Sequence, residues 1–385
     1  MPGTPGAPSA TPGEVPGPYH CPLVVTEDDA LIESLLRICA AAGADPHLVC
    51  GAPPPRQAWG AAPLVVVGDD VAERMVGLSR RRGVVLVGRD LDDVGVWQRA
   101  VGIGAEHVVF LPDAEAWLLD RVADAAEGVG AQALTVAVVG GRGGAGASTL
   151  ACALAVTAAR EGQRSVLVDG DPLGGGLDVL LGGEEAAGLR WPDLAASRGR
   201  VNALELERAL PRIHRLLALS WDRGDVLGIP GEAMRTVLGA ARRRGGVVVV
   251  DLPRRVDEAA AEALAQADLG LLVVPAELRA MTASGRVASL VRMRLADLRA
   301  VVRGPAPSGL TGAEVARGVR LPLAGELAAE PGLAADLEHG RPPGSRPRGP
   351  LGRFCAAFLT EALAGSGRPG LGGFAGPLDG SGMAA

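Results

Sequence analysis

The most constraining feature of the chain is a glycine-rich segment, residues 140–149, between an apolar run and a stretch that favours a helix. The segment reads Gly-Gly-Arg-Gly-Gly-Ala-Gly-Ala-Ser-Thr and follows the apolar residues Leu134 to Val139. A strand that enters a glycine turn and continues as a helix directs several backbone N–H groups and the positive end of a helix dipole at one point. Such a turn suits an anion such as phosphate. The sequence therefore predicts a strand, an anion-binding loop and a helix from Leu134 onward.

The loop lacks the lysine that phosphate-binding loops place just before the Ser or Thr that meets magnesium. Ala147 stands at that position and Ser148 follows it. The chain contains no lysine at all, so the 38 residues counted as lysine or arginine are all arginine. A guanidinium does not freely replace a compact ammonium group. We therefore expect the loop to keep phosphate binding and to have impaired catalysis.

The glycine pattern by itself leaves two other interpretations open. Gly141-x-Gly143-x-x-Gly146 also fits the dinucleotide fingerprint, and Asp169 ends the next predicted strand at a distance that suits a contact to a ribose hydroxyl. The second alternative is a structural glycine turn that binds no ligand.

Three features favour a phosphate loop with magnesium over these alternatives. Ser148 and Thr149 open the predicted helix, Asp171 lies two residues beyond Asp169, and Asp251 ends an unbroken valine strand. A hydroxyl and an acid from separate strand ends are what a magnesium nucleotide requires, whereas a nicotinamide site requires neither.

Length and composition indicate two globular domains with flexible ends. The chain has 385 residues, of which 48% are hydrophobic, which is enough for two cores. We expect domains at 21–130 and 134–365. Residues 1–20 and 366–385 are rich in Pro, Gly and Ser, so burial cannot offset their ordering entropy and we expect them to be disordered.

Composition also bears on partners and location. A net charge of −6 and an aromatic fraction of 3% argue against a dedicated nucleic-acid surface. Five scattered cysteines without a C-x-x-C pair fit buried thiols in a reducing compartment. No secretion signal is apparent, and no run approaches the roughly 20 apolar residues of a membrane span. We expect a cytoplasmic protein without a transmembrane segment.

The first domain shows short apolar runs separated by helical stretches, which is typical of a parallel sheet covered on both faces. The predicted helices are Leu31–Ala42, Val71–Arg82, Val94–Gly102 and Trp117–Glu127, and the predicted strands are Leu23–Val25, Leu64–Val67, Val84–Val87 and Val108–Leu111. This layout resembles a response-regulator receiver domain of the CheY type.

The phosphorylation chemistry of a receiver is incomplete in this domain. The acids Glu27, Asp28 and Asp29 follow the first strand. After the predicted strand Leu64–Val67, however, Gly68 stands where a receiver has its phosphoacceptor aspartate, and Asp69 comes one residue later. The positions for the switch Ser/Thr and for the lysine hold Gly88 and Leu111. We therefore predict a pseudo-receiver, in which Glu27–Asp29 serve as a helix N-terminus.

The second domain resembles the MinD/ParA superfamily. Arg142-Gly-Gly-Ala-Gly-Ala-Ser-Thr149 is similar to its deviant Walker A motif, Lys-Gly-Gly-x-Gly-Lys-Ser/Thr-Thr, with both lysines replaced. Further matching segments are Asp169-x-Asp171, Leu177-Asp178, Asp251-Leu-Pro253, Ala267-Asp268 and Leu323-Ala-Gly-Glu326. With the pseudo-receiver in front, the arrangement resembles the CpaE/TadZ branch, and within it actinobacterial CpaE-like proteins described as septum site-determining. The fold class predicted is α/β: two doubly wound parallel-sheet domains, a CheY-like pseudo-receiver followed by a P-loop NTPase-like domain.

The resemblance implies a role for each residue of the site. ATP would be held by Gly141, Arg142, Gly143, Gly144, Ala145, Gly146, Ala147, Ser148 and Thr149. Ser148 would ligate Mg²⁺ and Asp251 would lie behind a magnesium-bound water. Asp171 would orient the attacking water, and Arg142 would occupy the place of the signature lysine that reaches the phosphates of the partner subunit. Arg303-Gly-Pro305 replaces the Asn-Arg pair that often reads adenine, so the resemblance carries no base specificity here.

The function implied is a nucleotide-dependent homodimer that positions septum, pilus or secretion machinery with weak or no ATP hydrolysis. Its partners would be cell-division or pilus/secretion proteins, which would recruit it to the pole, septum or membrane. One alternative is an active ATPase in which Arg142 replaces the loop lysine. The other is a scaffold that binds no nucleotide.

Overall fold

The computed structural model describes residues 21–50, 53–126, 132–195, 201–225, 228–307 and 309–366. The chain forms two compact units, Met1–Val129 and Gly130–Ala385. The segments predicted to be disordered, 1–20 and 366–385, lie outside the described residues except for Ser366. No helix within the described ranges combines the length and the apolarity that a bilayer crossing requires.

The first unit contains a five-stranded sheet in which every pair of neighbouring strands is parallel. Its strands are β1 Leu23–Val25, β2 His47–Val49, β3 Val65–Gly68, β4 Val84–Gly88 and β5 His107–Phe110. Its α-helices are α1 Asp29–Ala41, α2 Arg56–Ala61, α3 Val96–Ile103 and α4 Glu115–Ala126. The strand order is β2-β1-β3-β4-β5, which is the flavodoxin and CheY order. Separate hydrophobic clusters cover the two faces of the sheet.

The predicted helix Val71–Arg82 is wrong. Only Ala72–Met75 forms a single 3-10 helix there. Gly77 has a φ of +98°, which interrupts a right-handed helix. The guanidinium of Arg81 donates hydrogen bonds to the carbonyls of Trp59 and Ala62, so tertiary contacts fix this segment as a loop.

The acids after β1 and β3 have structural partners, as a pseudo-receiver predicts. The Asp28 carboxylate caps α1 by accepting hydrogen bonds from the N–H groups of Ala30 and Leu31 at 2.8 and 3.2 Å, which confirms the predicted helix N-terminus. Asp69 forms a two-pronged ion pair with Arg99 at 2.6 and 2.9 Å. At the acceptor position, Gly68, an added methyl group would lie 2.7 Å from the Thr26 Cβ, so the site has no room for a side chain.

The second unit contains an eight-stranded sheet covered by helices on both faces. Its strands are β6 Leu134–Gly140, β7 Ser165–Asp169, β8 Arg212–Ile213, β9 Leu216–Leu219, β10 Val247–Leu252, β11 Leu269–Pro275, β12 Leu298–Arg303 and β13 Leu323–Leu327. Its helices are α5 Ala147–Arg160, α6 Leu177–Leu180, α7 Trp191–Ala195, α8 Ala203–Ala209, α9 Gly231–Arg243, α10 Glu258–Gln266, α11 Leu278–Arg292, α12 Gly312–Val319, α13 Leu333–Glu338 and α14 Pro350–Gly365. The order is β13-β12-β11-β6-β10-β7-β9-β8, and only β8 runs antiparallel to its neighbour. The predicted fold class is confirmed for both units.

Helix α5 is buried along most of its length because its side chains are small and apolar. Every residue from Leu150 to Ala159 on this helix is buried. It packs in one hydrophobic cluster with side chains of α14 and of the central strands. A helix buried along this length cannot move easily, so its N-terminal turn has a fixed position at the centre of the sheet edge.

Candidate functional site

The predicted site residues lie at the carboxyl ends of three adjacent strands. Strand β10 lies between β6 and β7, with Asp251 opposite Val138 on one side and Asp169 on the other. The glycine loop continues from the end of β6, and Asp171 follows the end of β7. In a parallel sheet all carboxyl ends lie on one edge, so the loop and the acids meet there.

The loop turns into α5 through glycines in left-handed conformations. Gly144 has a φ of +70° and Gly146 a φ of +96°, values that residues with a Cβ rarely adopt. No side chain of the described residues caps the N-terminus of α5, which begins directly after Gly146. The first backbone N–H groups of this helix therefore remain available to an anion.

Gly141 anchors the loop to the rest of the sheet and does not line the cavity. Its N–H donates to the carbonyl of Val273 on β11 at 2.9 Å. A methyl group added at Gly141 would lie 2.8 Å from the Cβ of Ser284 on α11. This contact requires glycine at position 141 and fixes where the loop begins.

A cavity of about 400 Å³ brings the other predicted site residues together. Its lining consists of the loop, two acids, the last residue of β10 with the two residues that follow it, and one arginine from β12: Gly140, Arg142, Gly143, Gly144, Ala145, Gly146, Ala147, Ser148, Thr149, Asp171, Asp251, Leu252, Pro253, Arg254 and Arg303. The structure thus assembles one polar cavity from segments more than 150 residues apart in sequence, 140–149 and 303.

A hydroxyl and a buried carboxylate meet inside this cavity. Ser148 and Asp251 line this cavity together, and Asp251 is 3% exposed. Burial raises the pKa of Asp251 to about 7, the nearby Ser148 hydroxyl opposes this shift, and the charges of Asp169 and Asp171 add to it. Such a concentration of acids favours a bound cation, since a cation removes their mutual repulsion.

Asp169 is a buried carboxylate that fixes the segments following β7 and β9. It is 1% exposed and accepts hydrogen bonds from Ser220 Oγ at 2.8 Å, Leu177 N at 3.0 Å and Asp171 N at 3.2 Å. Burial raises its pKa to about 6, and these hydrogen bonds oppose the shift. Asp169 also lines a cavity of about 260 Å³ together with Ser148 and Asp251.

The pKa of Asp251 predicts a pH dependence of stability in the magnesium-free protein. Because its folded-state pKa of about 7 exceeds its ordinary value of 3.8, this carboxyl favours folding at low pH, and its contribution is lost as pH rises from about 4 to 7. We expect the Asp251→Asn variant to gain on the order of 3 kcal/mol relative to wild type across this window. Urea unfolding at pH 4.5, 6 and 7.5 measures the difference, and a constant difference would contradict the raised pKa.

Arg142 is folded back onto its own chain. Its Nη2 lies 2.9 Å from the Glu277 Oε1, and its Nη1 donates to the Gly143 carbonyl at 3.1 Å. Its Nε is buried and lacks a hydrogen-bond partner in the described chain. Glu277 precedes α11, and no local sequence pattern indicates that it meets the loop.

Two further arginines, Arg254 and Arg303, line the cavity. Arg254 is exposed and its Nη2 lies 3.9 Å from the position of a methyl group at Gly143. Arg303 ends β12, and its Nη1 lies 3.5 Å from the position of a methyl group at Gly146. The sequence signal for Arg303 was the basic residue in place of the usual Asn-Arg pair, but only the strand order shows that it lies over the loop.

A second cavity of about 340 Å³ adjoins the first, because Gly146, Thr149 and Arg303 line both. Its remaining walls are largely apolar and come from the ends of β12 and β13 and from two helices: Gly304, Pro305, Leu327, Ala328, Ala329, Glu330, Leu333 and Leu351. A polar cavity joined to a mostly apolar one suits a ligand with a charged end and a flat apolar end.

Comparisons with known proteins agree with this architecture. The MinD septum site-determining protein of Synechocystis sp. is 27% identical over 157 residues, covering 40% of this chain and 58% of that protein. The ParA family ATPase of Chlorobium tepidum superposes with a TM-score of 0.52 at 18% identity, covering 60% of this chain and 98% of the other. MinD of Pyrococcus horikoshii, solved with Mg-ADP, gives 0.50 at 19% identity, covering 60% and 97%. Fold, loop and sequence similarity define the second unit as a P-loop protein of the MinD/ParA superfamily.

The first unit matches a family model named Rv3660c-like, CheY-like N-terminal domain, over residues 25–133. Rv3660c of Mycobacterium tuberculosis is 42% identical to the chain over 320 residues, which cover 81% of this chain and 90% of that protein. The chain belongs to the Rv3660c-like family, and in this chain a CheY-like unit precedes a MinD/ParA-like one. The predicted superfamily and pseudo-receiver are confirmed, and the CpaE/TadZ branch stays a prediction.

Proposed function

We propose that the second unit binds ATP with Mg²⁺, hydrolyses it slowly or not at all, and acts as a nucleotide-dependent spatial regulator. The observation that carries this proposal is the glycine loop before a helix without a side-chain cap, with Ser148 and the buried Asp251 in the wall of the same cavity. That combination supplies backbone donors for phosphate and oxygen ligands for a hard divalent cation.

The residues of the site fit a magnesium nucleotide. The backbone of residues 143–149 would hold the phosphates, Ser148 would ligate Mg²⁺ and Asp251 would accept a hydrogen bond from its water shell. Asp171 lines the same cavity and would orient water. Bound Mg²⁺ would neutralise phosphate charge. The apolar second cavity, with Leu327 and Leu333 in its wall, would take the base.

Slow hydrolysis follows from the methyl side chain of Ala147. A positioned cation stabilises the charge that develops on a transferring phosphoryl group, and the loss of one such contact costs about 100-fold to 1000-fold in rate. Arg142 is held by Glu277 at 2.9 Å, which disfavours the alternative in which it replaces the lysine within one chain. That alternative predicts brisk turnover, abolished in the Arg142→Ala variant while dimerisation is retained.

The regulatory role is supported by the relatives. The MinD proteins that the chain resembles are named septum site-determining proteins. With a pseudo-receiver that lacks a phosphoacceptor side chain, the first unit is suited to protein docking. We propose that ATP closes a homodimer and that the first unit binds cell-division, pilus or secretion proteins, which recruit the complex to the septum, pole or membrane.

Titration calorimetry with ATP and light scattering after size exclusion test the proposal together. We expect saturable magnesium-dependent binding and an ATP-dependent shift from monomer to dimer. The Ser148→Ala variant should lose most of the magnesium dependence, while Ser289→Ala, which removes an exposed serine hydroxyl from α11, should bind as wild type does. Absence of heat at millimolar ATP would overturn the proposal and favour the nucleotide-free scaffold.

A further inference from the structure

The arginine at the end of β12 lies against the part of the loop from which the lysine is missing. Arg303 pairs with Pro275 of β11 and with Leu327 of β13, so its backbone is fixed between two strands. Its Nη1 and Cδ lie 3.5 and 3.7 Å from the position of a methyl group at Gly146, the residue immediately before Ala147. The guanidinium therefore borders the turn where the first N–H groups of α5 emerge.

The side chain of Arg303 has no partner among the described residues. Its Nε is buried without a hydrogen-bond partner, and no ion pair joins it to a described carboxylate. The other arginines that line this cavity differ: Arg142 is paired with Glu277, and Arg254 is exposed on the loop after β10. A buried donor without an acceptor is costly unless a ligand supplies one.

Position and charge together identify what Arg303 would contact. It lines both the polar cavity of the loop and the apolar cavity beside it, so it stands where a charged end and a flat end of one ligand would join. A guanidinium at this point can donate two parallel hydrogen bonds to phosphate oxygens. The chain has no lysine to take this role.

We propose that Arg303 is the phosphate-binding cation of this site and replaces, from strand β12, the lysine absent from the loop. The inference rests on the proposed nucleotide binding and names the residue that makes the charged contact. Arg303 approaches the phosphates from outside the loop. It would therefore supply the positive charge for binding, but not from the position on α5 that a loop lysine occupies during hydrolysis.

The test measures affinity for three probes in the full-length protein: Mg-ATP, inorganic tripolyphosphate and adenosine. We expect Arg303→Met to weaken Mg-ATP and tripolyphosphate binding by about 10-fold to 100-fold, which is the effect of losing a charge-assisted hydrogen bond. Adenosine affinity should change by less than about 3-fold. Arg348→Met, which removes an equal charge from an exposed position, should bind all three as wild type does.

A second variant separates a specific contact from a general defect. In the Arg303→Met background, Ala147→Lys should restore Mg-ATP affinity to within about 5-fold of wild type, because the loop then has its own cation. The unfolding temperature of the ligand-free protein should not fall in Arg303→Met, since the side chain has no described partner to lose and its unpaired buried donor is removed. Equal Mg-ATP affinity of Arg303→Met and wild type, an equal loss for adenosine, or failure of the lysine to rescue would overturn the inference. Absence of ATP binding to the wild-type protein would instead overturn the proposed function itself.

Discussion

The Ala147→Lys variant is expected to hydrolyse ATP about 100-fold to 1000-fold faster than the wild-type chain. The loop already has left-handed glycines at 144 and 146 and an uncapped helix behind them, so the substitution adds a charge to a formed site. Ala147 lines the cavity of about 400 Å³, which has room for the stem of a lysine. A loop lysine contacts the β- and γ-phosphates and stabilises the charge that develops between them.

Steady-state phosphate release measures this effect, and Ala147→Met is its control, because methionine has a similar length without the charge. The methionine variant should remain as slow as wild type. Because the wild-type chain contains no lysine, the introduced side chain would carry the only ε-amino group, and amine-selective labelling can report its protection by Mg-ATP. Wild-type turnover as fast as that of the lysine variant would contradict the assignment of slow hydrolysis to Ala147.

The central strands could be predicted from the sequence because buried parallel strands form short, continuous apolar runs. The runs Leu134–Val139 and Val247–Val250 predict central strands, and the structure extends each by one or two residues. The sequence did not predict the edge strands β2 and β13. Strand β2 has only three residues, all at least partly exposed, and β13 is mostly exposed or half-buried and contains a glycine. Their apolar content is too low to distinguish them from loops without knowledge of the neighbouring strand.

Only part of the candidate site could be predicted from the sequence. The residues of the loop, Asp171 and Asp251 follow predicted strands directly, so the rule that ligands bind at carboxyl ends of strands identifies them. Arg303, Glu277 and Ser284 contribute through strand order and helix packing, which bring residues 141–146 next to residues 277–303. No local pattern encodes that proximity. Short sequence motifs thus predict the loop and the acids of the site. They do not predict a charged residue, such as Arg303, that comes from a distant strand.

The Gly141→Ala variant is expected to destabilise the second unit by about 2–4 kcal/mol and to abolish detectable Mg-ATP binding. Gly141 lies between the Val273 carbonyl, to which its N–H donates at 2.9 Å, and the buried Ser284. An added methyl group would lie 2.8 Å from the Ser284 Cβ and 3.1 Å from the Val273 oxygen. Rotation of the serine hydroxyl does not move its Cβ, so relief requires a shift of α11 or of the loop.

Calorimetric unfolding of the full-length protein tests this, with Gly143→Ala as the matched control in the same loop. At Gly143 the nearest atom to an added methyl group is the flexible Arg254 Nη2 at 3.9 Å, so we expect a stability change below about 1 kcal/mol. Combining Gly141→Ala with Ser284→Gly removes the clashing Cβ and should recover at least about 1 kcal/mol relative to the sum of the single changes. Additive effects would show that the methyl group is accommodated without α11, and an unaltered unfolding temperature in Gly141→Ala would mean that the loop is not seated against this helix. Because the loop begins at this contact, the same double variant should also regain Mg-ATP binding. That result would show that the geometry of the anion site depends on the packing of α11, Leu278–Arg292, which lies more than 130 residues away in sequence.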